Sequence, residues 1–264
     1  MTFKRRLVGA FTGAAVLYLV RVLALYILAR GFAQINLNES TYAYAPAWLR
    51  VVADNAGDIA SIFGFTTASC VLVLIQNSGR AFKAELWFTA ALPVFAGAGF
   101  GLVKLLEAFD AVRTLPFLTH GSAFEWLKWL LMYLFLALEI RGTLTGLKPS
   151  WWLYALSAAL EALFAFVAYG EFQPLLMINA FLCGWLALAV FYRRGTVVVE
   201  VLSCFGYTAG HRLLASYPDH GAFYMNGNPI SGGAAGLNGS LLTSAILVAL
   251  TAALSVFYAQ RRHR

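Results

Sequence analysis

Apolar residues run along this chain in long blocks that short polar turns interrupt. A bilayer crossing needs roughly 20 consecutive, mostly apolar residues. The pattern predicts eight membrane helices, at about 7–30, 57–77, 86–108, 123–141, 151–170, 174–192, 196–216 and 237–259. The breaks carry turn chemistry: Asn77-Ser78-Gly79, Pro116, Lys148-Pro149, Gln173-Pro174, Arg194-Gly195, and a Pro/Gly/Asn-rich run from Pro218 to Gly239. The fold class this implies is all-α, a polytopic integral membrane helical bundle, with 1–264 as a single transmembrane domain.

Charge tests that division. With the N-terminus in the cytoplasm, the inner segments carry Lys4, Arg5 and Arg6; Arg80 and Lys83; Arg141 and Lys148; Arg193 and Arg194; and Arg261, Arg262 and Arg264. The outer ones carry Arg50 and Arg113, with Arg30 at a boundary. Basic residues concentrate in cytoplasmic loops, so both termini are expected inside, in a bacterial cytoplasmic membrane. The rule also requires two crossings between Arg194 and the C-terminal basic cluster, so the polar stretch 196–216 must cross or re-enter. The N-terminal apolar run reaches about Arg30 and is too long for a signal h-region of about 7–15 residues.

Composition agrees. Of 264 residues, 61% are hydrophobic and 12% charged, with a mean hydropathy of +0.72; soluble domains carry about 25% charged residues. The net charge of +7 sits in short interhelical loops, where it sets topology, so the bilayer and not nucleic acid is the expected partner. Cys70, Cys183 and Cys204 lie in apolar runs without metal-ligand spacing. No metal and no cofactor are expected: HExxH, P-loop, GxGxxG and GxSxG signatures are absent, and no lysine lies in the last two spans for a retinal Schiff base.

The chemistry that remains is intramembrane charge, which is expensive and tends to be functional. In 196–216, Glu200, Cys204, Thr208, His211 and Arg212 form one helical stripe. Arg21 and Glu161 sit near the middles of spans 1 and 5 and are expected to pair. Lys104/Glu107 and Glu125/Lys128 mirror each other on spans 3 and 4, at spacings that allow pairing within each helix or across the hairpin. Gly9/Gly13, Gly97/Gly101 and Gly206/Gly210 are GxxxG pairs that would draw spans 1, 3 and 7 together.

Three functional readings follow. The first is a transporter or flippase with an outward-facing polar vestibule for a small polar or lipid-linked solute, lined by Arg21, Glu161, Glu200, Cys204, Thr208, His211, Arg212, Lys104 and Glu107, alone or with a partner subunit. The second is a membrane-embedded enzyme at the outer leaflet, with His211 as acid–base, Arg212 as anion clamp and Asp219/His220 as auxiliaries. The third is an assembly subunit whose charges only fix helix packing.

Overall fold

The computed structural model describes residues 3–76, 89–108, 123–144, 146–169, 172–210 and 238–262. Among these no strand occurs. The helices are α1 (Phe3–Gln34), α2 (Glu39–Tyr42), α3 (Ala47–Asp54), α4 (Ala56–Gln76), α5 (Ala91–Ala108), α6 (Ala123–Ala137), α7 (Trp151–Tyr169), α8 (Pro174–Arg194), α9 (Val198–Thr208) and α10 (Leu241–Arg262). A π-helical turn, Leu138–Gly142, continues α6.

Among the described residues, four helices, α1, α4, α5 and α8, are long and apolar enough to cross a membrane. Shorter apolar helices cover Trp151–Phe166, Val198–Thr208 and Leu241–Ala253. The segment 31–56 contains two short helices of its own. Asn38 starts α2, accepting from the backbone N–H groups of Ser40 and Thr41 while Thr41 Oγ1 accepts from the Asn38 N–H. Two sequence breaks set the ends of α8. Pro174 occupies its first turn, where a missing N–H costs nothing. Gly195 closes it at φ 68°, a left-handed conformation that favours glycine, with its N–H bonded to Phe191 O at 2.7 Å.

The helices gather into two compact units. The first holds α1–α4 and α6 with its π turn. Here α4 is central, and its ridges repeat every four residues. Gly64 and Leu72 on one ridge face α1: a β-carbon on Gly64 would lie 3.1 Å from Leu17 O, and one on Gly13 would lie 2.7 Å from Leu72. Phe65 on the next ridge meets Phe135 of α6, ring centroids 5.8 Å apart. The second unit holds α5 and α7–α10. Gly184 of α8 lies against α7, where Ser157 Oγ donates to its carbonyl at 3.0 Å. Gly206 and Gly210 of α9 lie against the α5 backbone at Leu92 and Ala96.

The glycine expectation is therefore corrected in its partners. The α9 pair does meet α5, but through α5 backbone at Leu92 and Ala96; among the described residues nothing stands within 4 Å of a β-carbon at Gly97 or Gly101. Gly9 and Gly13 receive α4, at Ile75, Gln76 and Leu72. Small residues allow close approach wherever the partner offers a ridge, not only where glycines face glycines.

Candidate functional site

In the first unit the buried polar groups collect where α4 ends and α6 turns π. A π turn is a rare local irregularity that recurs at functional sites. Gln76, at the last position of α4, is 4% exposed. Its side chain donates to Thr143 Oγ1 at 3.1 Å, and the Thr143 hydroxyl donates to Glu139 O at 2.6 Å. The Gln76 carbonyl oxygen rests on Gly142, where any β-carbon would displace it. Glu139 Oε2 lies 3.0 Å from where a β-carbon on Gly13 would be. Arg141, two residues on, is fully buried.

In the second unit a neutral network ties α8, α9 and the start of α10. Asn179, 2% exposed, donates to Asn238 O at 2.7 Å and Ser240 O at 3.0 Å, and accepts from Ser244 Oγ at 2.6 Å. Ser240 caps α10 by accepting from the Thr243 N–H at 3.1 Å. The Thr243 hydroxyl also meets Tyr207 OH at 2.9 Å.

The sequence-derived residues divide among these settings. Glu200 lies in the first turn of α9, where the helix dipole favours an anion. Glu200 and Thr208 are buried, and Cys204 is half-buried. Helical geometry puts this stripe about opposite the Gly206–Gly210 face that meets α5. Lys104 pairs with Glu107 at 2.6 Å on the exposed flank of α5, so the glycine contact does not carry these charges to the stripe. Lys128 pairs with Asp58 of α4 at 2.7 Å, a tertiary contact within the first unit that the i,i+3 spacing does not foretell. Arg21 belongs to the first unit; it is exposed, with its β-carbon beside Gly64. Glu161 belongs to the second, half-buried against Gly184. His211, Arg212, Asp219 and His220 lie outside the described residues.

In the segment 31–56, the Tyr42 hydroxyl donates to the Asp54 carboxylate, and that bond holds the phenol above its ordinary value. Sequence reading left Gln76, Thr143 and Asn179 out of the candidate site because a lone amide or hydroxyl in an apolar run carries no spacing signature. Gln76 had one signal: it extends the i, i+4 series Ala60, Gly64, Ala68 and Leu72. No known protein family, curated protein or solved structure matches this chain.

Proposed function

We propose that this chain is a multi-pass transporter or flippase of a bacterial cytoplasmic membrane, crossing eight times with both termini inside and moving a small polar or lipid-linked solute. The observation that supports this most is the Gln76–Glu139–Arg141–Thr143 cluster at a π turn, with Gln76, Arg141 and Thr143 buried and Glu139 half-buried. Ionisable groups inside membrane helices mark solute and ion paths. A helix that is merely packed has no need of a π turn carrying both an acid and a base.

Transport requires the cluster to be reachable by water from each side in turn. The test is a single cysteine at Thr143→Cys, in a background with Cys70, Cys183 and Cys204 replaced by alanine. Right-side-out and inside-out vesicles are treated with a membrane-impermeant methanethiosulfonate reagent, and Asn226→Cys marks the outer face. Labelling of position 143 from both sides is expected. Labelling from one side only, or from neither, rejects transport through this cluster. Labelling of position 226 from the inside only rejects the topology.

A further inference from the structure

Of the three buried side-chain oxygens in the first unit without a partner among the described residues, Ser69 Oγ, Gln76 Oε1 and Glu139 Oε2, two flank the π turn. Gln76 Oε1 and Glu139 Oε2 are buried acceptors without a hydrogen-bond donor among the described residues. Leaving such a group unsatisfied in the interior is costly. Flipping the Gln76 amide does not help, because the Thr143 hydrogen is already committed to Glu139 O. Glu139 Oε2 and the Gln76 side chain border one face of α1, while Gln76 Oε1 itself rests on Gly142 of the π turn. Gln76 Cγ lies 3.1 Å from a β-carbon position on Gly9, and Glu139 Oε2 lies 3.0 Å from one on Gly13. Gly9 and Gly13 are one turn apart, about 6 Å along the axis. The two side chains therefore meet the same short length of α1, and Gln76 Oε1 lies on the π turn that carries Glu139.

We infer that this groove between the Gly9–Gly13 face, Gln76 and the π turn binds a small monovalent cation, a proton or a sodium ion, through Glu139 and the Gln76 carbonyl. The inference rests on the transport reading and names its coupling ion. Acceptor oxygens repel an anion. Glycine-tight packing at Gly9, Gly13 and Gly142 leaves no room for a large cation. A divalent ion favours more than one carboxylate, and no group of three His, Cys, Asp or Glu residues stands among the described ones. A proton on Glu139 would let it donate to Gln76 Oε1; sodium would be held by both oxygens. The charged groups facing the site are Arg141 on the same turn and, by helical register, Arg5 and Arg6 one turn inward of Gly9 on α1. On α4 the nearest charge is Asp58, far along the helix and paired with Lys128.

The test is infrared difference spectroscopy of the full-length protein in lipid nanodiscs across a pH titration, in sodium chloride and in choline chloride, with 22Na+ binding measured in parallel. A titrating protonated-carboxyl band that is lost in Glu139→Gln assigns a proton. A sodium-specific change, with bound 22Na+ lost in the same variant, assigns sodium. Glu139→Gln keeps the shape and donor of the protonated acid and should fold. Gln76→Leu is the second variant, in which the band should shift or the bound sodium fall at least tenfold. Spectra and binding unchanged in both variants would overturn the site. The two ideas fail separately: a bound cation with position 143 sealed from one face retains the site and removes transport, whereas two-sided access with no cation signal does the reverse.

Discussion

The two units differ at their main polar clusters, although each also buries hydroxyls without a partner among the described residues, Ser69 in the first and Ser150 and Tyr192 in the second. Each must bury polar groups among apolar helices, where an unsatisfied group is costly. The second unit closes its network around Asn179: the amide gives two hydrogen bonds and takes one, and Ser240, Ser244, Thr243 and Tyr207 connect to one another. The first unit leaves acceptors open at Gln76 and Glu139, beside a fully buried arginine. A closed neutral network acts as glue between helices. An open one with ionisable members has capacity left for something that comes and goes.

The largest expected effects come from the glycine contacts. A side chain at Gly206 or Gly210 would strike α5 main chain, which cannot rotate away; at Gly206 the clash is 2.5 Å from Leu92 O. Overpacking costs about 1–3 kcal/mol and more when backbone must move. Gly206→Val and Gly210→Val should sit at the top of that range, and Gly9→Val, which meets side chains of Ile75 and Gln76, somewhat lower. Gly97→Ala and Gly101→Ala, open to 4 Å, should be neutral or slightly stabilising, since alanine exceeds glycine in helix propensity by up to about 1 kcal/mol. Thermal melts in detergent give the ranking. Equal losses at Gly97 and Gly206 would show that α5 meets α9 through its own glycines after all.

The next effect separates glue from site. Asn179→Leu removes three hydrogen bonds; at about 0.6 kcal/mol each for membrane helices, the loss should be about 2 kcal/mol. Gln76→Leu removes one hydrogen bond together with an unsatisfied acceptor, so its stability change should stay under about 1 kcal/mol. Equilibrium unfolding in dodecyl sulfate measures both. A Gln76→Leu loss as large as that of Asn179→Leu would mean that the Gln76 carbonyl already has a partner, and the contrast between the units would collapse.

Much of the framework was legible in the sequence because length, hydropathy and turn residues are one-dimensional signals. Pro174 and Gly195 bound α8 as their chemistry required, and the apolar blocks became helices near their expected ends. The grouping of helices was not legible. Nothing in Lys104, Glu107, Glu125 and Lys128 says that α5 and α6 join different units, because identical spacing serves a local pair or a tertiary one. The site was only partly legible. Glu200, Cys204 and Thr208 stood out as a stripe, whereas Gln76 and Thr143 matter through a contact 67 residues apart in sequence. Glu139 carries no spacing signature, and Arg141 reads from sequence only as one of the basic residues that set topology.

The smallest effect tests that local-versus-tertiary difference directly. Lys128–Asp58 joins α6 to α4, and each side chain is 25% exposed. Lys104–Glu107 lies on one helix, with side chains 48% and 34% exposed. Exposed i,i+3 pairs contribute about 0.2–0.5 kcal/mol, while a better shielded tertiary pair should reach about 1 kcal/mol, the top of the range for exposed pairs. Double-mutant cycles using Asp58→Asn with Lys128→Gln, and Lys104→Gln with Glu107→Gln, isolate the two couplings. Added salt shortens the screening length to about 3 Å at 1 M and acts most on exposed charges. The α5 coupling should therefore vanish in 1 M sodium chloride while most of the α4–α6 coupling persists. If both couplings vanish together, Lys128 and Asp58 are as accessible to ions as the α5 pair, and the pair does not fasten α6 to α4.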